Sequence, residues 1–265
     1  MTSSPKMEAI WACIPYEVYL LIVEAAVDDA YSQACRTRCS LYLDVTTHEE
    51  SPRQLRVFVS TDDEEAILKA RFSLIKHISQ INHHARSAVH QRFVRVNRFD
   101  FSTEVLNIAD PKAWVLPAVD AFTLENPRDP QKMFENPIPE TQELARHIRI
   151  LNLTLFSPMY YRGALALLEA LPLVEVVTLF DDLRWLPSPR LPLRGRPGDL
   201  LLPREQIHAE DRIERLCEPI WEMGIRFHIR QKYLLNETRN EDLEVISTPE
   251  GVRFKFLGPE MNFLE

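Results

Sequence analysis

Ala145-Arg146-His147-Ile148-Arg149-Ile150-Leu151-Asn152-Leu153-Thr154-Leu155 is the stretch whose reading decides the fold. Ile148, Ile150, Leu151, Leu153 and Leu155 are apolar and closely spaced, which predicts a strand. Gly163–Leu171 follows with the composition of a helix, and Val174–Phe180 reads as a second strand. Strand, helix and strand within about 33 residues form a crossover unit, and its two strands are expected to lie parallel.

Working outward, residues 181–203 carry Leu186-Pro187-Ser188-Pro189-Arg190-Leu191-Pro192 and read as a proline-rich surface loop. A helix is expected from about Glu205 to Glu222, bent or ended by Pro219. Ile225–Ile229 reads as a strand, and Leu243–Ser247 and Val252–Leu257 flank Pro249-Glu250-Gly251 as a hairpin. Toward the N-terminus, Asp110–Pro139 is rich in proline and acids and is expected to be a long irregular segment with short elements. Leu74, Ile78, Ile81, Ala85, Ala88, Val89 and Phe93 step by threes and fours, a helical pattern broken near Asn82, with strand-like Val94–Phe101 after it. Asp62-Asp63-Glu64-Glu65 suits the positive end of a helix. Leu41, Leu43 and Val45, then Leu55, Val57 and Val59, alternate as two strands around a turn at His48–Pro52. The crossover unit resembles one turn of a leucine-rich-repeat-like solenoid, and no second copy is evident in the sequence.

Near the N-terminus, Pro15-Tyr16-Glu17-Val18-Tyr19-Leu20-Leu21-Ile22 opens a short helix of about 15–27 that is expected to be buried. Proline is tolerated where a helix begins, because its missing N–H has no partner there. Val18, Leu21, Ile22 and Ala25 then form one apolar stripe. Residues 1–9 read as a disordered lead. The expected class is α+β: an N-terminal helical element followed by a mixed sheet containing the crossover.

Composition narrows the function classes. The chain has 265 residues, 45% hydrophobic and 26% charged, an ordinary globular balance for one large domain or two modest ones. No apolar run reaches the roughly 18–20 residues of a membrane span. No basic lead and cleavage site mark a signal peptide. Cys13, Cys35, Cys39 and Cys217 are too few for a disulfide scaffold, so reduced thiols and a cytoplasmic or nuclear setting are expected. On that reading the sequons at Asn152 and Asn236 stay unglycosylated. The net charge of −8 argues against nucleic acid as the main partner. There are six glycines, the first at Gly163, and no phosphate-cradling loop or Gly-x-Ser-x-Gly elbow can be built from them.

Three blocks occur in order: the Pro15-x-Glu17 helix, Ile78-Ser79-Gln80-Ile81-Asn82-His83-His84-Ala85-Arg86, and His147-Ile148-Arg149-Ile150-Leu151-Asn152-Leu153. This order resembles the fungal F-box-like proteins of the two-EXR type. In that family a Leu-Pro-x-Glu-Leu-Arg helix precedes an Asn/Cys-Arg-x-x-Arg helix and an Ile-Arg-x-Leu strand. The likeness spans residues 10–180, followed by the 181–203 loop and a C-terminal helix and hairpin at 204–265 packed on the main domain. Arg86 matches, whereas Tyr19, Ile22-Val23 and His83 depart from the family's Arg, Ile-Trp and basic residue. The resemblance implies a non-catalytic interaction module. It would be a substrate receptor docking on a Skp-type adaptor of a cullin ubiquitin ligase through Ile14, Pro15, Val18 and Ile22. Plain core packing is the competing reading of that helix.

A second feature is an acid-free segment between Ala66 and Phe99 holding Lys69, Arg71, Lys76, Arg86, Arg92, Arg95 and Arg98 with four histidines. As a basic surface it offers an alternative, a nucleic-acid-associated protein; as a solvated or internally paired run it offers nothing. Its aromatics are only Phe72 and Phe93, too few to favour base stacking. His77 and His84 share a helix face but sit roughly 10 Å apart along it, and Cys35 with Cys39 supply only two thiolates, so neither metal nor cofactor is expected. Pro189-x-x-Pro192-x-Arg194 fits an SH3-type ligand, and Arg194-Gly195-Arg196-Pro197 the core of an AT-hook. Paired carboxylates such as Asp181-Asp182 and scattered serines fall in no nucleophile–base motif, so an unrecognised hydrolase or transferase is the remaining alternative.

Overall fold

The computed structural model describes residues 14–45, 55–98, 112–124, 137–153, 167–181, 200–203, 218–231 and 241–257. The fold is α+β, with a nine-stranded mixed sheet and a separate two-stranded one. In chain order the elements begin with α1 (Tyr16–Ala34), β1 (Ser40–Val45), β2 (Leu55–Phe58), α2 (Asp62–Ile81), α3 (His83–Arg92), β3 (Val94–Asn97), β4 (Lys112–Val115) and β5 (Ala121–Leu124). They continue with α4 (Pro139–Ala145), β6 (Ile150–Leu153), β7 (Val176–Asp181), β8 (Leu200–Pro203), β9 (Arg226–Gln231), β10 (Glu241–Thr248) and β11 (Gly251–Leu257).

The large sheet runs β2-β1-β5-β6-β7-β9-β10-β11-β8. β6 and β7 pair parallel, Ile150 opposite Val176 through Leu153 opposite Leu179, as the crossover predicts. The unit does not stand alone, however. The same parallel step joins β1 to β5, β5 to β6 and β7 to β9. Parallel strands covered on both faces read as near-continuous apolar runs, and all four residues of β5 and of β6 are buried. One face carries Leu41, Phe122, Leu124, Leu151, Leu153, Val177, Leu179, Phe227 and Ile229 into the main core, under Leu144 and Ala145 of α4 and Leu167, Leu168 and Leu171. The other face carries Ala121, Ile150 and Val176, and beside them a buried polar row, Thr123, Asn152, Thr178 and His228, in register across four strands. Asn152 Nδ2 donates to Thr123 Oγ1 at 3.2 Å, while its Oδ1 is buried without a partner. Asn152 is 2% exposed, so this sequon is closed to modification in the folded chain.

A second core belongs to the helices. Val23, Val27, Ala30 and Ala34 of α1 meet Ile75 of α2, Ala85 and Val89 of α3, and Phe93, Trp114, Leu116 and Val119. α2 starts with a capping box: Thr61 Oγ1 accepts from Glu64 N, and Glu64 Oε2 accepts from Thr61 N. The break expected near Asn82 is there, with Asn82 Oδ1 accepting from Ala85 N to cap α3.

Several expectations are corrected. The first helix extends to Ala34 rather than ending near residue 27, and the Val18/Leu21/Ile22/Ala25 stripe faces outward. The short elements expected within Asp110–Pro139 are there as β4 and β5. The proline-rich segment ends in β8, an edge strand paired with β11. Cys35 caps α1 and Cys39 precedes β1, so the two share no helix face. Residues 1–13, the turn at 48–52, Asn236 and the 189–197 motifs lie outside the described residues, as does most of the expected 205–222 helix, of which 218–222 is helical.

Candidate partner-docking face

Pro15 precedes the first turn of α1 with φ −54° and ψ 143°, and its carbonyl accepts from Tyr19 N at 3.0 Å. It supplies the acceptor that a helix start needs and has no donor to leave unpaired. Side chains in a helix advance by about 100° per residue. Val23, Val27, Ala30 and Ala34 therefore form one stripe, which is buried. Val18, Leu21, Ile22 and Ala25 form a second stripe on the opposite side, and all four are exposed. Leu21 is 64% exposed, Val18 44% and Ile22 43%, with Tyr16 at 62% just before them.

The helix is firmly seated beneath this face. Tyr31 meets Phe93 edge-on, with ring centroids 5.9 Å apart. Asp28 pairs with Arg92 at 3.0 Å. Tyr19 Oη accepts from Asn82 Nδ2 at 2.6 Å, which brings the end of α2, where Ile81 is 57% exposed, alongside the start of α1. Of the residues assigned to adaptor docking, Pro15, Val18 and Ile22 are exposed and Ile14 is half-buried. Tyr16, Leu21 and Ile81 complete the patch and were not among those assigned.

The acid-free segment does not form one basic surface. Arg71 is 2% exposed and lies inside the protein. Its Nη1 and Nη2 donate to Asp120 at 2.5 and 2.7 Å, and Nη2 also donates to the Thr37 carbonyl at 2.7 Å. Asp120, fully buried, also accepts from Cys39 N at 3.0 Å and Leu116 N at 2.7 Å. This cluster joins α2 to the ends of α1 and β4 and the starts of β1 and β5. Lys69 and Arg98 both pair with Glu65, and Arg92 with Asp28. Lys76, Arg86 and Arg95 remain exposed, with Arg95 set 6.0 Å from the centre of the Trp114 ring. Among the described residues no group of three or more His, Cys, Asp or Glu side chains could hold a metal ion. Burial, with Asp120 nearby, pushes the Cys39 thiol up to about 12. No described helix is long and apolar enough to cross a membrane.

One further concavity, a cleft of about 690 Å³, lies between β3 and α4, with Leu55, Val94, Val96 and Leu144 as its apolar part and His90, Arg95, Glu140, Glu143 and His147 as its polar part. Glu143 Oε1 lies 3.0 Å from His147 Nε2. Comparisons with family models, curated proteins and solved structures return no match for this chain.

Proposed function

We propose that this chain is a non-catalytic protein-interaction module that docks through the exposed face of α1. One observation carries the reading: Val18, Leu21, Ile22 and Ala25 stand at i, i+3, i+4 and i+7 on the outside of a helix whose opposite face is locked into a core. That spacing is the anchor pattern of a helix laid in a partner's apolar groove. Fully burying a Val, Leu or Ile side chain is worth about 1.5–3 kcal/mol. With roughly half of each side chain still exposed, three anchors offer about 2–5 kcal/mol of gross transfer energy, a useful part of a micromolar interaction and less than the whole of it. Tyr16 and Ile81 extend the area.

The ordered resemblance to F-box-like proteins supports a Skp-type adaptor as the partner, which would make the chain a substrate receptor of a cullin ubiquitin ligase. The alternative of a nucleic-acid contact has less behind it, because Arg71 is internal and Lys69, Arg92 and Arg98 have carboxylate partners. The test is affinity purification of the tagged chain beside a Pro15→Ala/Ile22→Asp variant shown by circular dichroism to be folded. The reading expects adaptor and cullin with the wild type and neither with the variant. Absence of both from the wild type would overturn the adaptor assignment.

A further inference from the structure

The cleft beside β3 has a feature that α1 docking leaves unused. Val94, Arg95, Val96 and Asn97, the whole of β3, line it. Successive residues of a strand point to opposite faces, so a cleft touching all four runs along the strand's edge. Among the described residues β3 pairs with no strand but β4. Among the described residues the one further link is an isolated parallel bridge from Arg98, the residue after β3, to Val57 of β2. In an antiparallel pair, alternate residues turn their N–H and C=O groups away from the partner strand. Those of β3 therefore point into the cleft. The facing edge of β2 is already engaged where it enters the cleft, since Leu55 N donates to Thr141 Oγ1 of α4 at 2.9 Å. The two sheets touch at Val57–Arg98, and the cleft beside that bridge is lined by Leu55, Val96 and Leu144 of the main core.

The two walls carry opposite charge. Arg95 stands on the β3 side, and Glu140 and Glu143 on the α4 side. Glu143 is engaged with His147 and Arg146. Among the described residues neither Glu140 nor Arg95 has an oppositely charged group within salt-bridge distance. The volume falls in the range of roughly 300–1,000 Å³ typical of ligand sites, and four residues of β3 span about 13 Å.

We propose that this cleft binds an extended segment of another protein, about four residues long, which adds as a strand to the free edge of β3 and places a Lys or Arg toward Glu140 and an Asp or Glu toward Arg95. Main-chain hydrogen bonds to β3 supply affinity, and the two charged walls supply selectivity. The site is independent of α1. In a receptor it would hold the target, but its test needs no adaptor.

The probe is a positional-scanning library of fluorescein-labelled, end-capped hexapeptides, read by anisotropy on the full chain. The expected result is selection for a basic residue at one position and an acidic residue at another. Glu140→Lys should invert the first preference alone, and Arg95→Glu the second alone. Both positions are exposed, so both variants should fold, which circular dichroism checks. N-methylation of the selected peptide at alternate amides should weaken binding roughly five- to tenfold per lost hydrogen bond, and at the intervening amides much less. Three results would overturn the proposal: no selection by the wild type, selection that both variants leave unchanged, or indifference to N-methylation at every position. A wild-type dimer in sedimentation that Arg95→Glu dissolves would also overturn it, by giving the edge to a second copy.

Discussion

Replacing Asp120 with alanine should be the most damaging single change in the described structure outside the apolar cores. The carboxylate is wholly buried and accepts four hydrogen bonds, two from Arg71 and one each from Cys39 N and Leu116 N. Its loss leaves the Arg71 guanidinium, 2% exposed, with the Thr37 carbonyl as its remaining acceptor. Breaking a buried pair from one side costs about 3–5 kcal/mol, because the surviving charge has no compensation. The two orphaned amides add about 1–3 kcal/mol each where water does not reach them. The lower end of that sum, about 5 kcal/mol, already matches the whole stability of a marginal domain, commonly 5–15 kcal/mol. Arg71→Met should cost less, about 3 kcal/mol, since Asp120 keeps both amide donors. Adding Arg71→Met to Asp120→Asn should cost only about 1 kcal/mol beyond Asp120→Asn alone, against about 3 kcal/mol in the wild type, a coupling of about 2 kcal/mol in the double-mutant cycle. Urea denaturation followed at 222 nm measures all four corners. High salt should leave the wild-type contribution nearly unchanged, because a buried pair is poorly screened. A cost below about 1 kcal/mol for Arg71→Met, or purely additive losses, would refute the view that this pair clamps the helices to the sheet.

Three further outcomes follow from single side chains. Because burial raises the Cys39 thiol to about 12, it should resist a thiol reagent at pH 8 until the chain unfolds. Its folded value lies above its unfolded one, so stability present below about pH 9 should decline toward pH 12 in a wild-type-minus-Cys39→Ala comparison. His90 has its pKa lowered by burial and then by Arg95 and Arg86, with its ring 5.1 Å from that of Trp114. Its NMR titration midpoint should lie below 6.5, Arg95→Glu should raise it, and the His90 contribution to stability should be lost as pH falls through the folded value. Asn152→Leu should change stability by no more than about 1 kcal/mol in urea, since removing a buried acceptor without a partner offsets the lost bond to Thr123.

The strands easiest to read from sequence were those whose pattern is local and dense. Ile150–Leu153 and Val176–Leu179 are runs that only a covered sheet can bury, and Asn82 announces its own cap by its position between two helical patterns. β5 was hidden because Ala121-Phe122-Thr123-Leu124 is four residues long, in a segment bounded by prolines, and its partner Ser40–Leu43 lies about 80 residues away. β8 was hidden by Pro203, which is tolerated because the strand is at the sheet's edge. The first helix carries apolar residues on two faces, and periodicity alone does not say which one is inside. The deciding signal lay further along: the Val23/Val27 side continues with Ala30 and Ala34, whereas the Val18/Leu21/Ile22/Ala25 side continues with Asp28, Asp29 and Ser32. Extending the helix past residue 27 would have assigned the faces. Arg71 looked like its basic neighbours because its partner, Asp120, is brought to it by the fold across 49 residues.

Isothermal titration of the purified chain with a recombinant Skp-type adaptor tests the central claim most directly, run in parallel with Leu21→Asp. Leu21 is 64% exposed, so the substitution should leave folding and the thermal midpoint close to wild type. The account predicts saturable one-to-one binding by the wild type and a loss of at least about tenfold in affinity for the variant, the equivalent of roughly 1.4 kcal/mol for one anchor. Equal affinities for the two proteins, or no binding by the folded wild type, would contradict it.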